Sequence, residues 1–289
     1  MELKQALSSA IARFTAERVP SPRLNAELLL MFTLGCDRAH IHAHPERELS
    51  ADEEARYDAA LAERVRGVPA QYITGHQEFW GLDLIVSPAV LIPRPETEHV
   101  IETVLELIAA NAGGRERPPG TIRIADIGTG SGCIALALAK QLSRAEIDAT
   151  DISPAALEIA RANAARHQLE SRLRFHEADL LAGFAPATFD FIVSNPPYVG
   201  ESERDQVQLE VRKFEPRGAV FAGPKGTEVI ERLIAQARAA LRPGGWLVME
   251  ISGTIAEAVK TLLCEWNEVR IRQDLQSVPR VAQARKPRG

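Results

Sequence analysis

The first 66 residues place their apolar side chains at helical spacing. Leu3, Leu7, Ala10, Ile11 and Phe14 recur every three or four positions, which stacks them on one face of a helix. A second apolar helix is predicted over Pro22–Leu34, with Ser21 as its N-cap and Pro22 at the first helical position, where a missing N–H is no loss. Ser50 and Glu53 have the S-x-x-E spacing of a capping box, which starts a third helix running to about residue 66. Residues 37–46 include Pro45 and read as an interhelical loop.

The pattern changes at residue 67. Gly, Pro and β-branched residues rise, and residues 78–86 read as strand. A turn at Gly81 or at Ser87-Pro88 would fold two such strands into a hairpin. From Thr97 onward strand and helix alternate. Strands are predicted over 122–127, 146–151, 172–177, 189–194 and 246–251. Helices are predicted over 131–142, over 153–167 with Pro154 in its first turn, and over 227–241, the last stopped by Pro243-Gly244-Gly245. Residues 113–120 read as a Gly/Pro/charged loop, and 269–289 as the last strands followed by a frayed basic tail. Repeated strand–helix units imply a parallel sheet covered on both faces. The fold class is therefore α/β and Rossmann-like. The expected division is a small N-terminal helical bundle over 1–75, a β-hairpin connector over 76–96 and the α/β domain over 97–289.

Composition sharpens this picture. A length of 289 residues accommodates two domains, and 45% hydrophobic with 25% charged residues excludes wholesale disorder. Lys and Arg total 34 against 39 acidic residues, a net charge of −5, without the basic excess that grips nucleic acid. Cys36, Cys133 and Cys264 lie far apart and form no CxxC pair, which fits a reducing compartment. Apolar runs such as 28–34 and 133–139 fall well short of the roughly 18 residues a spanning helix needs. The N-terminus shows no export pattern, so a soluble cytoplasmic protein is expected. His40, His42 and His44 alternate near Cys36, but no acidic or cysteine ligand has clear spacing, and no metal is expected.

Two segments carry chemistry. The first predicted strand runs into Asp126-Ile127-Gly128-Thr129-Gly130-Ser131-Gly132. Glycines at a strand's carboxyl end let the backbone approach a ligand closely. The dinucleotide fingerprint G-x-G-x-x-G fails, because its last glycine would fall on Cys133; G-x-G-x-G fits instead. Asp151 ends the second α/β strand and could accept hydrogen bonds from ribose hydroxyls. Together these suit S-adenosyl-L-methionine (SAM), which has no pyrophosphate, although glycine turns also close βα units without any ligand. Asp179, after the next strand, adds a polar group near the place of an adenine. The second segment is Asn195-Pro196-Pro197-Tyr198, at the end of 189–194. Two prolines make it stiff. The Asn195 side-chain oxygen and the Pro196 carbonyl could each accept an N–H, holding a planar NH2 group for methylation, with Tyr198 packed on its flat face.

In this order, the glycine turn, Asp151 and the Asn-Pro-Pro-Tyr segment resemble a class I SAM-dependent methyltransferase acting on an amino or amide nitrogen. Three further stretches are similar to the release-factor glutamine methyltransferases, the PrmC/HemK family: Pro69-Ala70-Gln71-Tyr72-Ile73-Thr74-Gly75, then Phe79-Trp80-Gly81, then Val90-Leu91-Ile92-Pro93-Arg94-Pro95-Glu96-Thr97-Glu98. The resemblance covers nearly the whole chain. It implies an enzyme that methylates N5 of the glutamine in the Gly-Gly-Gln motif of bacterial peptide chain release factors, in translation termination. It also implies that Gly128, Thr129, Gly130, Ser131, Gly132, Asp151 and Asn195 bind SAM, that Leu180, beside Asp179, packs on the adenine, and that Asn195, Pro196, Pro197 and Tyr198 hold the glutamine. The helical domain would recruit the release factor to a monomeric enzyme. An adenine-N6 nucleic-acid methyltransferase is the alternative; it shares the Asn-Pro-Pro-Tyr chemistry and predicts a basic groove.

Overall fold

The computed structural model describes residues 1–111 and 121–288; the loop expected over 113–120 lies outside them. The chain divides into two compact units. One is Met1–His76 with Gln208–Phe214, and the other is Gln77–Val207 with the chain from Glu215 onward.

The first unit is helical. Helices Leu3–Ala16, Pro22–Leu34 and Ala51–Val65 bury Leu3, Phe14, Leu29, Leu30, Tyr57 and Leu61 against one another, the faces expected from the three- and four-residue spacing. The Ser50–Glu53 capping box forms, with Glu53 N donating to Ser50 Oγ at 3.2 Å and Ser50 N to Glu53 Oε2 at 2.9 Å. Buried Arg64 donates to Asn25 Oδ1 at 2.8 Å and to the Val68 carbonyl at 3.1 Å. It also pairs with Glu210 at 2.9 Å, which ties the distant segment Gln208–Phe214 into this unit.

Two local expectations change here. Ser21 precedes Pro22 as expected but sits in the left-handed region (φ 46°), and its side chain caps nothing. Residues 37–46 are not all loop. Asp37 accepts the His40 N–H at 2.8 Å and starts a helix over Arg38–Ala43, with Pro45 beyond its end. The His40 and His44 rings lie tilted at 53° with centroids 4.7 Å apart, and His42 comes to 3.4 Å from Glu27. Among the described residues no group of His, Cys, Asp and Glu could hold a metal. Nor is any described helix long and apolar enough to cross a membrane.

From Gln77 the second unit opens on a hairpin of β1 (His76–Phe79) and β2 (Leu82–Ile85), turning at Trp80-Gly81 rather than at Ser87-Pro88. Its main sheet uses β3 (Ile122–Ile127), β4 (Ala145–Asp151), β5 (Leu173–Glu177) and β6 (Phe189–Ser194). A short parallel pair, β7 (Val199–Gly200) with β8 (Phe221–Gly223), stands apart. Then come β9 (Leu241–Glu250), β10 (Asn267–Gln273) and β11 (Pro279–Arg285). Among the described residues the sheet has seven strands in the order β10-β11-β9-β6-β3-β4-β5. It is parallel from β9 to β5, with β10 and β11 antiparallel at one edge. One face packs Val100, Ile101 and Val104 of helix Glu98–Asn111, helix Cys133–Gln141 and the hairpin's Phe79 and Leu84. The other packs Ile230, Leu233 and Ala237 of helix Glu228–Ala240 with Val259. Cys133 is a packing residue beside the first of these clusters.

Two expectations about the chain's end are corrected. Pro243-Gly244-Gly245 does not separate helix from strand, because β9 begins at Leu241 and runs through it. The register against β6 jumps from Phe189↔Leu241 to Phe191↔Trp246, so residues 242–245 bulge out, where a proline without an N–H breaks no ladder bond. The tail is not frayed at Lys286. Its N–H donates to the Gly245 carbonyl at 2.8 Å and its Nζ to the Leu241 carbonyl at 2.7 Å, which fastens it to that bulge.

Candidate active site

The chain leaves β3 toward β4 and β5 on one side and returns through β6 on the other. The strand order therefore reverses between β3 and β6, and a crevice opens at their carboxyl ends. Register aligns the rim: Ile127 lies opposite Thr150 and Ser194, and Ser194 opposite Met249. The glycine turn, Asp151, the Asn-Pro-Pro-Tyr segment and Glu250 all stand at or just beyond these positions.

In the glycine turn Gly128, Gly130 and Gly132 have φ of 70°, 55° and 84°, which only glycine adopts without strain. They do different work. A Cβ on Gly128 or Gly130 would meet open space within 4 Å, whereas one on Gly132 would press Leu136 at 3.2 Å and Ala160 at 3.4 Å. The first two line the crevice and the third is there for packing. Thr129 and Ser131 are buried. Thr129 Oγ1 donates to Asp126 Oδ2 at 2.6 Å, and the Ala135 N–H donates to the same oxygen at 3.2 Å. Burial pushes the Asp126 carboxyl up to about 7, and its Oδ1, like Ser131 Oγ, has no hydrogen-bond partner among the described residues.

Asp151 ties the turn to β4. Its Oδ2 accepts the Gly130 N–H and its Oδ1 the Ser153 N–H, both at 2.9 Å, and each oxygen keeps a lone pair for another donor. Ile152 beside it is 70% exposed, an apolar side chain left on the rim. Leu180 has φ 56°, and its carbonyl accepts Thr150 Oγ1 at 3.0 Å, which brings it to the end of β4. Asp179 does not share that place; it pairs with Arg232 at the surface. Asn163, buried in an alanine-rich helix, gave no signal in the sequence. Its amide donates to the Ser131 and Ile85 carbonyls at 2.9 and 3.0 Å and accepts the Ile85 N–H at 2.7 Å, joining turn and hairpin.

Across the crevice, Asn195 Nδ2 donates to Thr97 Oγ1 at 3.1 Å. Thr97 Oγ1 donates to Glu250 Oε2 at 2.6 Å, and Tyr198 Oη donates to Glu250 Oε1 at 2.9 Å. Thr97 and Glu250 are 1% and 2% exposed. Burial holds the Glu250 carboxyl above the usual carboxylate range, and burial together with the Glu250 charge holds the Tyr198 phenol above its own. Thr97 belongs to the stretch containing Arg94 and Glu96, whose partners the structure supplies. Arg94 pairs with Glu215, which also accepts the Ile92 N–H at 3.1 Å, and Glu96 lies 3.7 Å from Arg280.

A crevice between β3 and β6 with a glycine turn on one side and a proline-stiffened polar loop on the other defines a class I methyltransferase. The methyltransferase small domain matches residues 116–213, and the PrmC N-terminal domain matches residues 5–75. The chain belongs to the release factor glutamine methyltransferase family. A protein of that name from Koribacter versatilis (strain Ellin345) is 55% identical over 99% of both chains. Another from Chlorobaculum tepidum is 43% identical over 95% of this chain and 94% of its own. Among solved structures, the hMettl16 catalytic domain in complex with a MAT2A 3'UTR hairpin is similar, with a TM-score of 0.55 over 80% of this chain and 81% of that one. At 19% identity, that likeness is one of fold alone.

Proposed function

We propose that this protein methylates the side-chain amide nitrogen, N5, of the glutamine in the Gly-Gly-Gln motif of bacterial peptide chain release factors, using SAM, as a monomer in the cytoplasm. The relatives named above are called release factor glutamine methyltransferases, which favours the glutamine over the adenine alternative. The observation that carries the chemistry is Asn195. Its Nδ2 is occupied by Thr97, which leaves Oδ1 as the acceptor at the crevice.

The residues present fit SAM. Gly128 and Gly130 leave open space where any side chain would intrude, Asp151 has lone pairs for ribose hydroxyls, and Ile152 and Leu180 offer apolar surface for an adenine. Thr129, Ser131 and Gly132 hold the turn in shape from beneath, and Asn195 would complete the cofactor site from across the crevice. Asp179 would have to leave Arg232 to take part, so its neighbour Leu180 is the stronger assignment. When bound, SAM supplies an electrophilic methyl group on a positively charged sulfur. The protein's share is to hold the amide. Asn195 Oδ1 and the Pro196 carbonyl each accept one N–H of the glutamine, while Pro197 keeps the loop rigid and Tyr198 covers the amide plane. With both hydrogens held, the nitrogen's lone-pair face is fixed, so positioning does most of the work, and one of the two held N–H protons leaves to solvent as the nitrogen gains the methyl.

Asn195→Ala removes one of the two acceptors. Turnover should fall roughly a hundredfold or more, about 3 kcal/mol of transition-state stabilisation. Labelled-methyl transfer to a release factor, with its Gly-Gly-Ala variant as control, measures this. A wild-type rate for Asn195→Ala would overturn the reading.

A further inference from the structure

Resting on the reading above, one question remains: what makes the Asn195 amide point its oxygen, rather than its NH2, at the substrate? An asparagine side chain has two nearly isosteric ends, and nothing in its own shape chooses between them.

The choice is made two residues away. Glu250 as a carboxylate only accepts hydrogen bonds. Thr97 Oγ1, 2.6 Å from Glu250 Oε2, must therefore give its one hydrogen to the carboxylate. It then has only lone pairs to offer Asn195, so only the NH2 end of Asn195 can face it, as it does at 3.1 Å. The amide is planar, and Oδ1 is left on the other side. The same carboxylate takes the Tyr198 hydroxyl at 2.9 Å, so both ends of the Asn-Pro-Pro-Tyr segment are tied to one buried group. We propose that Thr97 and Glu250 are positioning residues that orient the Asn195 amide oxygen toward the substrate and so select an N–H-bearing side chain over a carboxylate. Neither touches the substrate. Both act through Asn195, and the hydrogen-bond direction runs one way, from Asn195 through Thr97 to Glu250.

Thr97→Val keeps the side chain's shape and removes the hydroxyl; Thr97→Ser keeps the hydroxyl. The test compares them with the wild type in kcat and KM for a release factor, in SAM affinity by calorimetry, and in the ratio of Kd values for Gly-Gly-Glu and Gly-Gly-Gln release factors. Thr97→Val should lower kcat by about tenfold or more, leave KM and SAM affinity within about twofold, and shrink the Glu/Gln discrimination. Thr97→Ser should restore both kcat and discrimination. A Thr97→Val enzyme with wild-type kcat and discrimination overturns the proposal. So does a Thr97→Ser enzyme as impaired as Thr97→Val, since volume rather than the hydroxyl would then matter. Should Thr97→Val not fold, Glu250→Ala decides by the same readouts. It removes the acceptor that takes the Thr97 hydrogen, so unchanged kcat and discrimination there overturn the proposal. A wild-type enzyme that fails to methylate Gly-Gly-Gln would overturn the proposed function itself, a result separate from any of these.

Discussion

Glu250 is a single carboxylate that accepts from two hydroxyls, and its burial makes it harder to ionise than an exposed glutamate. Glu96 pushes its pKa the same way, while the hydroxyls of Thr97 and Tyr198 and the charge of Arg280 oppose the rise. The sign follows from which form the network needs. Protonated Glu250 can donate to Thr97, Thr97 can then donate to Asn195, and the amide is free to turn its NH2 outward. Turnover should therefore fall as pH drops through the raised Glu250 pKa, an acid limb higher than an ordinary glutamate would give. Stability runs the other way. A folded pKa raised above the unfolded value of about 4.3 means the native state holds its proton longer. This group's contribution to stability is thus complete below the unfolded pKa and is lost as pH rises through the folded one. Asp126, pushed up to about 7, titrates nearby and would add its own limb. Glu250→Gln separates the two: its kcat profile should be lower but should lack the Glu250 limb. A profile of unchanged shape would assign the limb elsewhere.

At the scale of the elements, local signals were legible and long-range ones were not. Strands β3 and β6 announce themselves as largely apolar stretches between turn signals, and the glycine turn and Asn-Pro-Pro-Tyr follow them directly in sequence. Thr97 and Glu250 are 153 positions apart, and their meeting depends on β9 lying beside β6. Pro243-Gly244-Gly245 reads as a stop until β6 is there to show a bulge. Gly226 was equally silent. It follows β8 with φ 85°, and a Cβ there would lie 2.7 Å from the Tyr198 carbonyl and 3.0 Å from the Gly200 nitrogen. Backbone cannot yield as a flexible side chain can, so Gly226→Ala must push β7 and the end of the Asn-Pro-Pro-Tyr loop. The strain of a positive φ adds about 1 kcal/mol or more. The expected outcome is a lowered melting temperature and a kcat reduced by about tenfold or more, with SAM affinity little changed, because the glycine turn and Asp151 lie across the crevice. Thermal unfolding, calorimetry and turnover on one preparation measure all three. Wild-type turnover, or SAM affinity lost along with turnover, would contradict this placement.

Over the whole molecule, charge distinguishes the two substrates that share this chemistry. A net charge of −5 is a weak argument while it remains a sum, since a basic groove could hide within it. Its distribution says more. Residues 1–75 hold nine Lys or Arg against eleven Asp or Glu. In the second unit many arginines are already engaged: Arg94 with Glu215, Arg123 and Arg174 with buried Asp148, and Arg280 with Asp274. Arg172 reaches the backbone carbonyls of Ala139, Leu142 and Ala145 instead. To neutralise phosphates these side chains would have to break ion pairs, some to a carboxylate that would be left buried and alone. Phosphate neutralisation is what makes nucleic-acid affinity fall steeply with salt, by a slope of about −0.9 per phosphate on duplex DNA. Binding to labelled duplex or single-stranded DNA or RNA should therefore be no tighter than about 10⁻⁴ M near physiological salt, and nearly flat between about 50 and 200 mM. Methylation of a release factor should persist across that range. Fluorescence anisotropy beside a methylation assay tests both. Submicromolar, steeply salt-dependent binding to nucleic acid would restore the adenine alternative.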